Sequence, residues 1–163
     1  MKQYQGVDFY QLDRNLSDEE RGVRETVRRF VSQRFMPNIR KHFCDGTFPL
    51  ELSTEMGALG LLGSAVKGPE CPGLSYTMYG LICEELERGD SGLRSFASVQ
   101  GSLVMWPIAT FGTTEQKERW LPQLATGQKI GCFGLTEANH GSDPGGMETH
   151  AVRDGADWVL NGS

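Results

Sequence analysis

The sequence predicts a mainly α-helical protein, with an all-helical N-terminal domain over residues 1–128 and the first strands of a β-domain over residues 129–163. Apolar residues recur at helical spacing from Ser17 to about Gly127. The period then changes to the alternation typical of strands. Because so few strands make a marginal sheet, we expect the β-domain to be truncated and the chain to be a fragment.

The first predicted helix covers residues 17–43. Ser17 and Glu20 have the spacing of a capping box, and arginines fill the face opposite the apolar one. We interpret this basic face as solvated. Pro37 should kink or split the helix near its end. The apolar face consists of Val23, Val27, Phe30, Val31, Phe35, Ile39 and Phe43.

Four further helices follow, separated by glycine-rich breaks. The last of them has Thr113 and Gln116 at capping-box positions and Gly127 as its stop signal. The four helices are expected from Pro49 to Gly60, from about Leu74 to Arg88, from about Leu93 to Phe111, and from Thr113 to Gly127.

Strands are predicted after these helices. Residues 129–135 read as one strand. Residues 148–154 and 157–161 alternate around Gly155 and predict a hairpin.

Composition excludes several classes of protein. Hydrophobic residues make up 38% of the 163 residues, which suits a globular domain. The net charge of −5 and the lack of a basic stripe argue against nucleic acid as a partner. No apolar run approaches the ~20 residues of a membrane span, and the N-terminus lacks signal-peptide character. Four cysteines without metal-ligand spacing indicate reduced thiols and no metal site. These are Cys44, Cys71, Cys83 and Cys132.

Residues 133–146, FGLTEANHGSDPGG, form the densest motif. The motif lacks the lysine of a P-loop, and the residues after it read as a strand where a dinucleotide fingerprint needs a helix. Two interpretations stay open. The turn amides, with Thr136 and Ser142, bind an anion, or the glycines serve only the geometry of a long turn. We interpret His140 as a loop histidine and not as a metal ligand.

Acidic residues at the C-terminal end of the third helix oppose the helix dipole, so a cation should offset them. Arg94, across a four-residue break, is close enough in sequence to meet Glu87. One interpretation is a salt bridge that fixes the turn between two helices. The other is an arginine that receives a carboxylate ligand, with Ser95 as a second donor.

These motifs together resemble the N-terminal part of flavin-dependent acyl-CoA dehydrogenases, over nearly the whole chain. GCFGLTEANHGSDP resembles the family's signature for flavin and acyl-CoA contact, and TEQKERWLPQLATGQKIGCFGLTE is typical of the family. The Arg94–Ser95 pair resembles the Arg-Ser pair of the glutaryl-CoA dehydrogenase branch of the family. The stretches FPLELSTEMGALGLLG, YGLICEELERGDSGLRSFASVQGSLVMWPI, FGLTEANHGSDP and GMETHA point to the same branch.

The resemblance implies an N-terminal helical domain, a middle β-domain and a C-terminal four-helix domain. It implies FAD-dependent α,β-dehydrogenation of an acyl-CoA, with glutaryl-CoA favoured as substrate and decarboxylation to crotonyl-CoA. The implied setting is fatty-acid and amino-acid catabolism, in a bacterial cytoplasm or a mitochondrial matrix. The implied partners are an electron-transfer flavoprotein and identical subunits in a homotetramer. The family's catalytic base is a C-terminal glutamate, so we assign no catalytic residue to this chain.

The resemblance also assigns binding residues. Arg94 and Ser95, with Glu87 beside them, would receive the distal carboxylate of the acyl group. Ser142 would lie near both the flavin pyrophosphate and the acyl-CoA. Ala138 and His140 depart from the family pattern of proline and a small residue. The residues expected to line FAD are Phe133, Gly134, Leu135, Thr136, Glu137, Ala138, Asn139, His140, Gly141 and Ser142.

Two alternative functions remain. One is a short-chain or branched acyl-CoA dehydrogenase in which Arg94 only bridges to Glu87. The other is a helical interaction module without catalysis.

Overall fold

The computed structural model describes residues 9–163. This part of the chain divides into two compact units, one ending at Cys132 and one running from Phe133 to Ser163. The predicted combination of a helical region and a small antiparallel sheet is confirmed. The domain boundary after residue 128 stays a prediction.

The first predicted helix is present and is divided near its proline. Helix α1 (Asp18–Phe30) begins with the predicted capping box, in which Glu20 N–H donates to Ser17 Oγ at 3.2 Å. A wide π-helical turn, Val31–Phe35, continues it, and helix α2 (Ile39–Asp45) follows after a break at residues 36–38. Pro37 lies in that break, as expected of a residue without a backbone donor.

The remaining helices also lie close to their predicted positions. The region predicted as one helix from Leu93 to Phe111 consists of two helices joined by a π-helical segment, Val99–Met105. The helices are α3 (Ser53–Ala58), α4 (Tyr76–Gly89), α5 (Ser91–Ser98), α6 (Trp106–Phe111) and α7 (Thr114–Ala125). Short 3₁₀ turns lie at Leu12–Asn15, Leu50–Leu52 and Pro144–Gly146.

Among the described residues, two apolar clusters hold the helical unit together. The larger cluster joins α1 to α4 and α5, with Val31, Met56 and Leu86 fully buried. The smaller cluster packs Met105 against α7 through Leu121 and Leu124. Helices α4 and α5 therefore both pack on the larger cluster, which holds the turn between them in place.

The predicted strand over residues 129–135 is absent, so that prediction was wrong. Within residues 9–163, the backbone there bonds to a buried side chain and not to a neighbouring strand. Lys129 C=O accepts from Gln100 Nε2 at 2.8 Å, and Gly131 N–H donates to Gln100 Oε1 at 3.0 Å. One side-chain amide thus occupies the place that a strand's peptide group would take.

The second unit contains the predicted hairpin. Strand β1 (His150–Asp154) pairs antiparallel with β2 (Asp157–Asn161), and Gly155 turns the chain at φ +61°. A positive φ of this kind favours glycine over residues with a side chain. All residues of both strands are exposed, including Trp158 at 64%.

Candidate functional site

The junction of α4 and α5 carries the predicted charge pair. Asp90 caps α5 by accepting from Gly92 N–H at 2.7 Å, which brings the two helix ends into a tight turn. Across this turn, Arg94 Nε donates to Glu87 Oε2 at 2.7 Å. The arginine side chain stays 36% exposed and the glutamate side chain 45%. The salt-bridge interpretation is therefore observed, and a ligand role for Arg94 stays a prediction.

The pair is held by neighbouring hydroxyls. Ser91 Oγ donates to the second carboxylate oxygen of Glu87 at 2.6 Å. This bond and the Arg94 guanidinium lower the pKa of Glu87, and Glu87 in turn raises that of Arg94. Both groups stay charged near neutral pH, and the geometry leaves guanidinium N–H groups for a further acceptor.

Ser98, and not Ser95, is the hydroxyl that Arg94 contacts. Arg94 NH1 donates to Ser98 Oγ at 3.4 Å, whereas the Ser95 hydroxyl has no partner among the residues that the structure describes. Sequence reasoning missed this role of Ser98. Its spacing of four residues from Arg94 on one helix is the signal that would have found it.

A cavity of about 240 Å³ lies in the helical unit, on the side where α4 meets the π-helical segment. At its wall, Tyr79 Oη and Ser102 Oγ are hydrogen-bonded at 3.2 Å. Burial raises the pKa of Tyr79 and of the nearby Cys83 thiol, so both are neutral at physiological pH. Sequence reasoning assigned no role to any of these residues. The cavity's other lining residues include Gly63, Ser64, Tyr76 and Trp106.

The second candidate region is the loop formed by Phe133–Ser142. The hydroxyls of Thr136 and Ser142 are exposed and have no hydrogen-bond partner within residues 9–163. Glu137 and His140 close a turn, with N–H to C=O distances of 3.3 and 3.2 Å in the two directions. Exposed, unpaired hydroxyls beside a turn fit a ligand that offers hydrogen-bond acceptors.

The carboxyl group of Glu137 is held by backbone donors that follow the loop. Its two oxygens accept from Glu148 N–H and Thr149 N–H, each at 2.8 Å. The N–H of Glu148, then the hydroxyl and N–H of Thr149, lower the pKa of Glu137 to about 2. The contact between His140 Nε2 and Glu148 Oε1 is longer, at 3.8 Å. Both carboxylate oxygens of Glu137 are thus occupied by hydrogen bonds to the backbone.

Among the described residues, no cluster of His, Cys, Asp and Glu could hold a metal ion. None of the helices in the described chain is long and apolar enough to cross a membrane.

A family profile, acyl-CoA dehydrogenase N-terminal domain, matches residues 17–128. The chain belongs to the acyl-CoA dehydrogenase family. It is 37% identical over 151 residues to the mitochondrial short-chain specific acyl-CoA dehydrogenase of Rattus norvegicus, covering 91% of this chain. The residues matched by this profile lie within the helical unit.

Solved acyl-CoA dehydrogenases have the same fold. A glutaryl-CoA dehydrogenase from Mycobacterium smegmatis, solved in complex with FADH2, superposes with a TM-score of 0.92 at 52% identity over 96% of this chain. An acyl-CoA dehydrogenase from Bacillus anthracis, complexed with FAD, gives 0.79 at 33% identity over 96% of this chain. The chain spans 36% of the length of the rat enzyme, 40% of the Mycobacterium chain and 28% of the Bacillus chain.

Proposed function

We propose that this chain forms the N-terminal part of an FAD-dependent acyl-CoA dehydrogenase that acts on glutaryl-CoA. The observation that carries the substrate is Arg94, which is part-exposed and held by Glu87 at 2.7 Å with N–H groups to spare. A dicarboxylic acyl group presents a terminal carboxylate, for which a guanidinium is the best-suited partner. The 52% identity to the Mycobacterium glutaryl-CoA dehydrogenase supports the same substrate.

The loop residues fit the proposed cofactor. Thr136 and Ser142 offer hydroxyl donors without partners in the described chain, and flavin and pyrophosphate both present acceptors. FAD would accept the hydride equivalent from the substrate when bound. Leu135 and Thr136 would donate hydrogen bonds to the isoalloxazine edge, and Ser142 would bind near the pyrophosphate and the acyl-CoA. The whole set from Phe133 to Ser142 would line the cofactor.

The residues at the helix junction would bind and orient the substrate. Arg94 would hold the distal carboxylate, and Glu87, with Ser91 on its second oxygen, would keep the guanidinium aimed. Ser95 would supply a hydroxyl donor beside it, and Ser98, whose own O–H donates to Ser95 C=O at 3.1 Å, would hold the guanidinium by accepting from Arg94. The proton-abstracting carboxylate, the tetramer contacts and electron transfer to an electron-transfer flavoprotein are proposed for the full-length protein.

The test is Arg94→Ala in the full-length polypeptide that carries this chain, assayed with glutaryl-CoA and butyryl-CoA. We expect kcat/KM for glutaryl-CoA to fall about 30-fold or more, and that for butyryl-CoA to change little, because only glutaryl-CoA has the second carboxylate. Arg34→Ala is the matched control, since Arg34 is also paired with a glutamate (Glu55, at 2.6 Å) but takes no part in the Glu87–Arg94 pair. Equal losses on both substrates would contradict the proposal.

A short-chain or branched acyl-CoA dehydrogenase is the second candidate. It is favoured by the neutralisation of Arg94 by Glu87, which leaves no net charge to attract a carboxylate, and by the 37% identity to the rat short-chain enzyme. A panel of acyl-CoA substrates separates the two, because this candidate requires a higher kcat/KM for butyryl-CoA or isovaleryl-CoA than for glutaryl-CoA.

A non-catalytic helical interaction module is the third candidate, and a flavin absorbance spectrum tests it. We expect the isolated 163-residue chain to be colourless and inactive and the full-length protein to be yellow. A colourless full-length protein would favour the interaction module.

A further inference from the structure

We propose that Glu137 is the positioning residue of residues 133–149, called the flavin loop below, and closes this loop so that Thr136 and Ser142 present their hydroxyls in a fixed arrangement. This inference rests on the proposed function, which assigns the loop to FAD. Glu137 itself is not a cofactor ligand in this proposal, because both of its carboxylate oxygens are already occupied by backbone donors of the same loop.

The carboxylate joins the two ends of the loop. The bonds from Glu148 N–H and Thr149 N–H span eleven and twelve residues of sequence, and each measures 2.8 Å. Thr149 immediately precedes strand β1, so the bonds anchor the loop's exit at the start of the hairpin. Thr136 directly precedes Glu137, and Ser142 lies inside the closed loop.

Contacts inside the loop support a single closed conformation. The reciprocal bonds between Glu137 and His140 form a turn at the loop's entry. A side chain on Gly146 would overlap the His140 ring, so the ring lies directly on this glycine. The 3₁₀ turn Pro144–Gly146 fixes the backbone just after Ser142. Hydrogen bonds thus hold the backbone at both ends of the loop, and the Glu137 carboxylate joins the two ends.

A glutamate suits this position better than its closest substitutes. Two adjacent N–H donors need two acceptor oxygens, and an ionised carboxylate supplies both with the strength of charge-assisted bonds. Glutamine has one oxygen, and its amide group cannot accept the second N–H. Aspartate keeps the charge but is one methylene shorter.

A closed loop lowers the ordering cost of cofactor binding. The loss of closure should therefore weaken FAD affinity, while kcat of the FAD-saturated enzyme changes less. This pattern differs from that of a residue in direct contact with the reacting atoms, whose loss lowers kcat itself.

The first test measures amide hydrogen exchange in the 163-residue chain. We expect the amides of Glu148 and Thr149 to exchange at least about tenfold faster in Glu137→Gln than in the wild type, because a charged acceptor is lost. Their chemical shifts should titrate with the Glu137 pKa of about 2 in the wild type and not in the variant. His140 and Glu148 are the other titratable groups close to this carboxyl. The matched control is Glu148→Gln, which keeps the Glu148 backbone donor.

The second test measures FAD affinity and kcat in the full-length protein. Glu137→Gln should raise the FAD Kd at least about tenfold, and Glu148→Gln should leave it unchanged. Unaltered exchange or unaltered FAD affinity in Glu137→Gln would overturn the positioning role and leave the proposed function standing. A wild-type full-length protein that binds no FAD would instead overturn the proposed function and, with it, the flavin part of this inference.

Discussion

The side chain of Gln100 accepts a hydrogen bond from Gly131 N–H at 3.0 Å. The same buried side chain, 1% exposed, donates to Leu124 C=O at 2.9 Å and to Lys129 C=O at 2.8 Å. One amide thus joins the π-helical segment, the end of α7 and the segment after it. Its hydrogen-bonding capacity is used almost completely within the protein.

Removal of this amide should destabilise the chain. Gln100→Ala leaves Lys129 C=O and Gly131 N–H without partners, whereas Leu124 C=O keeps the bond from Gly127 N–H at 3.2 Å. We therefore expect the free energy of unfolding to fall by about 3 kcal/mol. The midpoint of urea unfolding measures this change. Gln33→Ala is the control, because Gln33 is exposed in the other π-helical turn, Val31–Phe35. Similar unfolding midpoints for the two variants would refute the structural role of Gln100.

Replacement by alanine should have opposite effects on stability at Gly57 in α3 and at Gly80 in α4. A Cβ at Gly57 would overlap the backbone carbonyl of Thr126, which cannot rotate away, whereas a Cβ at Gly80 meets nothing within 4 Å. We expect Gly57→Ala to destabilise by about 1–3 kcal/mol and Gly80→Ala to stabilise by up to about 1 kcal/mol through helix propensity. Thermal unfolding of the two variants checks the sign of each effect, and a stable Gly57→Ala would show that α3 and the end of α7 are not in close contact.

The carboxyl group of Glu85 should make the folding stability of the chain depend on pH. Its carboxylate is fully buried and accepts from Arg28 Nε at 3.0 Å and Arg88 Nε at 2.8 Å. Burial raises its pKa, but the bonds from Arg28 and Arg88 outweigh this and lower the pKa on balance. Because the folded pKa lies below the unfolded one, the stabilisation is complete above the ordinary value of 4.5 and is lost as the pH falls through the folded value.

Glu85→Gln tests this dependence. At pH 7 we expect the variant to be less stable by about 3 kcal/mol, because two arginines lose a buried charged partner. The difference from the wild type should shrink as the pH falls below 4.5. Glu25→Gln, at an exposed position of α1, is the control. A difference that stays constant from pH 7 to pH 3 would contradict the assignment.

The helices were predictable from sequence because their signals are local. The capping boxes at Ser17 and Thr113, the break at Pro37 and the stop at Gly127 each depend on residues within one turn. The hairpin around Gly155 was predictable for the same reason. The Glu87–Arg94 pair was foreseen because both residues flank a single tight turn.

The misses depend on contacts between distant residues. Residues 129–135 have a strand-like pattern, but the bonding partner is the side chain of Gln100, about thirty residues earlier. Glu137 bonds to amides eleven and twelve residues later, and any residue there except proline supplies a backbone N–H. Sequence spacing alone does not encode such partners.

The two π-helical segments determine how the residues after them are rotated about the helix axis relative to the residues before them. Each ends two residues before a proline, at Phe35 before Pro37 and at Met105 before Pro107. In an ordinary α-helix, one residue more or fewer rotates everything beyond it by about 100°. Deletion of a single residue within Val99–Met105 would therefore turn Trp106 to another side of the helix relative to Arg94. The number of residues in this segment therefore determines which way Trp106 faces relative to Arg94, so its length matters as much as the identity of its side chains.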